Sequence, residues 1–172
     1  DCFLNGKGAL IVADVQSQKI TSIGLNTGDV SVLAGNGEKA RRGDGMAAVD
    51  ASILGARAVC TDATGNLYIC EREGNAIRRV DRAGMMSTIA GTGKAGYGGD
   101  GGTALESTWN GPKGIRCDNN NLVIVDTENH AIREVNLDTL KVQTLAGGHK
   151  GGDGDAGPAI SAGLNRPHAC SV

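Results

Sequence analysis

Short apolar runs separated by turn residues recur along the whole chain. In residues 57–91 the runs RAVCT, LYICE, AIRRVD and MMSTIAG are divided by DATGN, REGN and RAG. Brief runs rich in β-branched residues, bounded by glycine, asparagine and aspartate, predict strands joined by tight turns. Four short antiparallel strands in succession are typical of one blade of a β-propeller.

The same pattern occurs three times in one register. LIVAD at 10–14, LYICE at 67–71 and LVIVD at 122–126 are spaced by 57 and 55 residues. We therefore predict an all-β propeller fold with three four-stranded antiparallel blades. The expected blades cover about 1–34, 57–90 and 113–146, and residues 167–172 are expected to be the stub of a further blade.

Glycine-rich linkers connect the predicted blades. One of them contains GTGKAG at 91–96, which fits the G-x-G-x-x-G pattern of phosphate-binding loops. The equivalent linker AGGHKGGDGDAG breaks that spacing, and no linker begins a long amphipathic helix. The motif is thus interpreted as a connection between blades. TALESTW and PAISAGL within the linkers predict single helical turns, with Trp109 and Leu164 as packing residues.

Three segments carry a family resemblance. GDAGPAISAGLNRP at 154–167, LVIVDTENHAIREV at 122–135 and GPKGIRCD at 111–118 together resemble NHL repeats. The third copy has Asn129 and His130 of the Asn-His-Leu signature, although Ala131 follows in place of leucine. The resemblance implies a propeller commonly of six blades, of which this chain supplies half, and usually a binding platform. Some relatives of similar six-bladed architecture are metal-dependent lactonases or lyases.

Two function classes follow from this resemblance. We favour a non-catalytic protein-interaction or ligand-binding scaffold, part of a larger propeller-containing protein, with a protein partner. The alternative is a segment of a six-bladed metal-dependent lactonase- or lyase-like enzyme. No catalytic residue, metal ligand set or cofactor is predicted, because no serine or cysteine has a recognisable partner base and one histidine does not make a metal site.

Ring closure requires more blades than three. Residues 1–4 align with 58–61 and with 169–172, so the chain contains three repeats and the start of a fourth. Exposed blade faces of valine, isoleucine and leucine need covering. We expect the remaining blades to come from the same longer chain rather than from a second copy, because in a two-chain ring residues 1–4 and 169–172 would compete for one strand position.

Composition narrows the range of partners. The net charge is −2, which argues against a broad nucleic-acid-binding surface, and no apolar run approaches the ~20 residues of a membrane-spanning helix. The five cysteines match neither zinc spacing nor a dense disulfide framework, and the compartment is not indicated. Cys2, Cys117 and Cys170 fall at apolar strand positions and are interpreted as small buried side chains.

A basic set is the candidate ligand site. Arg57, Lys113 and His168 occupy one repeat position, just before each innermost strand. In a propeller these side chains are expected to surround one mouth of the central channel, where they would bind an anion or else remain solvated rim charges. Arg116 lies three residues beyond Lys113 and is a further candidate for the channel.

Acidic residues also repeat, and we interpret them as structural. One set lies in Gly-Asp turns and is expected to cap backbone N–H groups of its own turns or of the following helical turn rather than to bind Ca²⁺: Asp44, Asp100 and Asp155. Another set ends the second strand of each blade and is expected to hold turns together: Asp14, Glu71 and Asp126. His130 is expected to hydrogen-bond its turn.

Overall fold

The computed structural model describes residues 1–6 and 8–171. It contains three four-stranded antiparallel sheets, each in the chain order of its strands. The first sheet is β1 (Cys2–Leu4), β2 (Ala9–Asp14), β3 (Lys19–Gly24) and β4 (Val30–Ala34). The second is β5 (Ala56–Thr61), β6 (Leu67–Glu71), β7 (Ala76–Val80) and β8 (Met86–Ala90). The third is β9 (Gly114–Asp118), β10 (Asn121–Asp126), β11 (Ala131–Asn136) and β12 (Val142–Gly147).

These sheets are the blades of a propeller, as the alternating pattern predicts. The first strands of neighbouring blades contact each other, β1 with β5 and β5 with β9, which makes them the innermost strands. Val172, the last residue of the predicted stub, lies outside the described residues. Within residues 1–6 and 8–171, one-turn 3₁₀ helices are found at Ala104–Glu106, Thr127–Asn129 and Ala159–Ser161. Among the described residues, no helix is long and apolar enough to cross a membrane.

Two apolar clusters hold the blades together. Side chains alternate along β6, so Leu67 and Ile69 pack toward the first blade while Tyr68 and Cys70 pack toward the third. All five residues of β6 are buried, because this strand has a blade on either side. Trp109 is fully buried between the second and third blades, and its indole N–H donates to Ser107 Oγ at 2.7 Å.

In each blade, the residue just before the third strand has a left-handed backbone conformation, and its side chain bonds to the linker that leads to the next blade. Gln18, Asn75 and His130 have φ values of 54°, 45° and 55°. Each side chain accepts a backbone N–H from the chain entering the following blade, namely that of Gly55 at 2.8 Å, Gly111 at 2.9 Å and Arg166 at 3.0 Å. The expectation for His130 is therefore corrected: its ring bonds to the next linker rather than to its own turn.

The sheet geometry also changes the interpretation of the cysteines. Cys60 and Cys70 are buried, whereas Cys2 is exposed and Cys117 and Cys170 are half-buried. The prediction of burial for the last three is wrong. Burial depends on whether another blade covers the face that a strand position points to, and the repeat pattern does not contain that information.

Candidate functional site

A buried arginine in the second blade joins two elements. Arg78 on β7 is 1% exposed, and its Nη1 donates to Glu71 Oε1 of the same blade at 3.0 Å. Its Nη2 donates to Asp44 Oδ1 of the preceding linker at 2.8 Å. A β-bulge between Ile77 and Arg78 offsets the strand at this point. Because bulges re-aim side chains, the guanidinium can reach both carboxylates.

Arg133 repeats this arrangement in the third blade. It donates to Asp126 Oδ2 at 3.3 Å and to Asp100 Oδ1 of the preceding linker at 2.8 Å. Its Cζ also lies 4.5 Å from the ring centroid of Trp109, a cation–π contact. A fully buried charge requires such pairing to offset its desolvation.

The two bridges correct the interpretation of the Gly-Asp turns. Asp44 and Asp100 accept hydrogen bonds from the arginine that follows them by 34 and 33 residues, rather than from backbone N–H groups of their own turns. Asp155 holds the equivalent position after Gly154, but no ion pair of Asp155 is found within residues 1–6 and 8–171. The first blade has Thr21 where the others have arginine.

Burial governs the acid–base properties of these bridges. Desolvation raises the pKa of Glu71 to about 7, against the lowering effect of Arg78. Burial likewise raises the pKa of Asp126, although Asn110, Asn129 and Arg133 bond to its carboxylate. Since every partner belongs to the blade framework, the bridges are structural elements.

The predicted basic residues lie around one cavity. Arg57, Lys113 and His168 line a cavity of about 240 Å³, together with Arg116. Arg57 and Lys113 also border an adjoining cavity of about 280 Å³, to which Arg72 contributes. The innermost strands β5 and β9 thus bring basic side chains of successive repeats together.

Charge in this pair of cavities is only partly compensated. Lys113 Nζ lies 3.5 Å from Glu128 Oε1 and 3.1 Å from His168 Nε2. Because an ammonium only donates, His168 Nε2 is the acceptor in this contact. Arg116 pairs with Asp1 at 3.4 Å. Within the part of the chain that the structure describes, no ion pair is found for Arg57 or Arg72.

Sequence reasoning missed Arg72, because it does not repeat. The equivalent positions in the other blades are Val15 and Thr127. A comparison of charges that all repeats share does not include a residue that occurs in one blade only. Such a departure from the repeat can itself indicate a functional site. Among the described residues, no group of three or more histidine, cysteine or acidic side chains could hold a metal ion.

Teneurins and NHL repeat-containing proteins are among the proteins that resemble this chain in sequence. The family model of the Teneurin NHL domain matches residues 5–96. Teneurin-3 of Danio rerio is 36% identical over 97 residues, 49% of this chain and 4% of that protein. NHL repeat-containing protein 2 of Homo sapiens is 47% identical over 53 residues, 30% of this chain and 7% of that protein. The chain thus spans a small fraction of either relative.

Solved structures share the fold. An auxiliary nutrient binding protein from Bacteroides ovatus has a TM-score of 0.66 at 16% identity, covering 98% of this chain and 41% of that one. A catalytically inactive virginiamycin B lyase from Staphylococcus aureus with quinupristin has a TM-score of 0.58 at 16% identity, covering 88% of this chain and 42% of that one. The family model of the Teneurin NHL domain matches more than half of the length of this chain. The chain therefore belongs to the NHL-repeat family of β-propellers.

Proposed function

We propose that this chain is a non-catalytic interaction scaffold that binds an acidic segment of a protein partner. The proposed binding site is the cavity of about 240 Å³, which we call the basic cavity. The observation that carries the proposal is the convergence of Arg57, Lys113, Arg116 and His168 on one cavity. A guanidinium presents a planar set of donors that matches a carboxylate in a bidentate manner. Arg57 and Arg72 are the best placed for this contact, because no ion pair of either is found among the described residues and the nearby Glu73 is paired with Lys39.

The scaffold is further proposed to be part of a larger propeller whose remaining blades belong to the same longer chain. Support comes from the apolar outer face of the first blade, where Leu4 is 63%, Val30 66% and Val32 40% exposed. More support comes from Asp155, whose counterparts each bind an arginine of the next blade. A second copy of this chain fits less well as the source of the next blade, for two reasons. Its first blade would place Thr21, and not an arginine, opposite Asp155. Its β1 would also occupy the innermost strand position that the predicted stub of the further blade needs. Light scattering of this chain is expected to give the mass of a monomer, and a closed dimer would contradict the proposal.

Peptide binding tests the proposed ligand. A fluorescent glutamate-rich peptide is titrated with the protein, with a glutamine-rich peptide of equal length as control. We expect Arg57→Gln to weaken binding by roughly 10- to 150-fold, since one hydrogen bond to a charged group contributes about 1.5–3 kcal/mol and each 1.4 kcal/mol is a factor of ten. Arg82→Gln removes the same charge at an exposed position that borders neither cavity, and it should leave binding unchanged.

Salt and the control variant decide between specific and diffuse attraction. Binding through the cavity should weaken as ionic strength rises and should depend on Arg57 more than on Arg82. Equal losses in the two variants would mean general charge attraction and would contradict the proposal. Equal affinity for the glutamine-rich peptide would also contradict it.

The alternative, a segment of a metal-dependent lactonase- or lyase-like enzyme, is supported by the likeness in fold to virginiamycin B lyase. Positive charge from Arg57, Lys113 and Arg116 around His168 opposes a cation at this place. Titration with Mg²⁺ and Ca²⁺ distinguishes the two functions. One tightly bound ion for each chain, lost in His168→Gln, would favour the enzyme.

A further inference from the structure

Two thiols meet between the second and third blades. Cys60 Sγ and Cys117 Sγ are 3.1 Å apart, on the neighbouring innermost strands β5 and β9. A disulfide bond has a length of about 2.05 Å, so the sulfurs need to approach by only about 1 Å. Both cysteines are free.

The surroundings favour a bond between these two cysteines over other pairings. Cys60 is 4% exposed within the apolar cluster that joins the second and third blades, and Cys117 packs against the same cluster. Cys117 is half-buried and is therefore the thiol that a small reagent can reach first. No hydrogen bond of Cys70 with another sulfur is found among the described residues, whereas Cys60 and Cys117 form one.

We propose that Cys60 and Cys117 form a reversible disulfide that joins the two innermost strands when the protein meets a low-molecular-weight disulfide. The thiolate of Cys117 attacks one sulfur of the oxidant, forming a mixed disulfide and releasing the first small thiolate. The thiolate of Cys60 then attacks Cys117 Sγ, forming the protein disulfide and releasing the second. Two protein thiols are oxidised, one small disulfide is reduced to two thiols, and the two protons go to solvent or to the released thiolates.

The second step should be slow and should accelerate with pH. The hydrogen bond with Cys117 and burial both raise the pKa of Cys60 well above its usual value. Only the thiolate attacks a disulfide, so little of Cys60 is reactive at neutral pH. The closed bond would join residues 57 positions apart and restrict the unfolded chain.

Oxidised glutathione at pH 8.5 is the probe. We expect the number of titratable thiols to fall by two, a Cys60–Cys117 cross-linked peptide after proteolysis, and a melting temperature about 5–15 °C above that of the reduced protein. Dithiothreitol should reverse all three changes. Cys117→Ser should abolish the cross-link, whereas Cys70→Ser should retain it.

Two results would overturn the proposal. One is glutathione attached to exposed Cys2, which shows that the oxidant is active, with no Cys60–Cys117 peptide in folded protein. The other is a cross-link that joins Cys117 to a different cysteine in the wild-type chain. Circular dichroism before and after oxidation establishes that the protein remains folded in each case.

Discussion

Replacing Arg78 by methionine should destabilise the protein strongly, because it leaves a buried acid without its partner. The Glu71 side chain is 0% exposed and bonds to the guanidinium at 3.0 Å. The Asp44 side chain, which bonds to the other nitrogen, is 53% exposed and can return to water. Most of the loss therefore comes from Glu71.

The size of the loss follows from these two environments. Removing one partner of a buried pair costs about 3–5 kcal/mol, whereas a solvated pair contributes roughly 1 kcal/mol or less. For a chain of this size each kcal/mol corresponds to about 2–4 °C in melting temperature, so Arg78→Met should lower it by roughly 6–20 °C. The loss should be smaller at pH 5 than at pH 8, because a protonated Glu71 needs no counter-ion.

Urea unfolding followed by the fluorescence of Trp109, the single tryptophan, measures this loss. Arg79→Met is the matched control, since Arg79 is the next residue on β7, is half-buried and has no ion pair among the described residues. It should change the free energy of unfolding by less than about 1 kcal/mol. The double variant Arg78→Met/Glu71→Leu should recover most of the stability. Equal effects of Arg78→Met and Arg79→Met would contradict the assignment of the loss to the unpaired Glu71.

Two further predictions concern pH and backbone geometry. Burial raises the pKa of Glu71 in the folded protein to about 7, above its value in the unfolded chain. The contribution of protonated Glu71 to the free energy of unfolding is therefore complete below the unfolded pKa and is lost as pH rises through about 7. Glu71→Gln should therefore flatten the fall in stability between about pH 4.5 and 8, and an unchanged pH profile would contradict this. Gly91→Ala should cost at least about 1 kcal/mol more than Gly101→Ala. Both glycines have positive φ, but a Cβ at Gly91 collides with the Asn75 carbonyl oxygen, whereas Gly101 has open space. Equal melting temperatures of the two alanine variants would show that the collision is relieved.

The blade architecture could be predicted because one period governs the apolar pattern, the turns and the linkers. The convergence of Arg57, Lys113 and His168 on one cavity follows from the same register, since equivalent positions of successive blades are neighbours around the axis.

The repeat pattern does not predict contacts between residues that occupy non-equivalent positions of the repeats. Asp44 and Arg78 lie 34 residues apart and meet only because the linker folds back over the following blade. Local capping is the usual use of aspartate in a glycine turn, so the pattern favoured the wrong partner. Cys60 and Cys117 are also out of register, and their contact depends on how β5 and β9 are offset.

The most direct test of the scaffold proposal is to map the glutamate-rich peptide onto the protein by NMR. We predict that amide shifts concentrate at Gly114 and Ala169, which line the basic cavity, and that the His168 ring resonances move with them. These shifts should disappear in Arg57→Gln while the rest of the spectrum is retained. Shifts centred instead on the groove lined by Ile11, Leu33 and Leu67, or shifts that persist in Arg57→Gln, would contradict the proposed site.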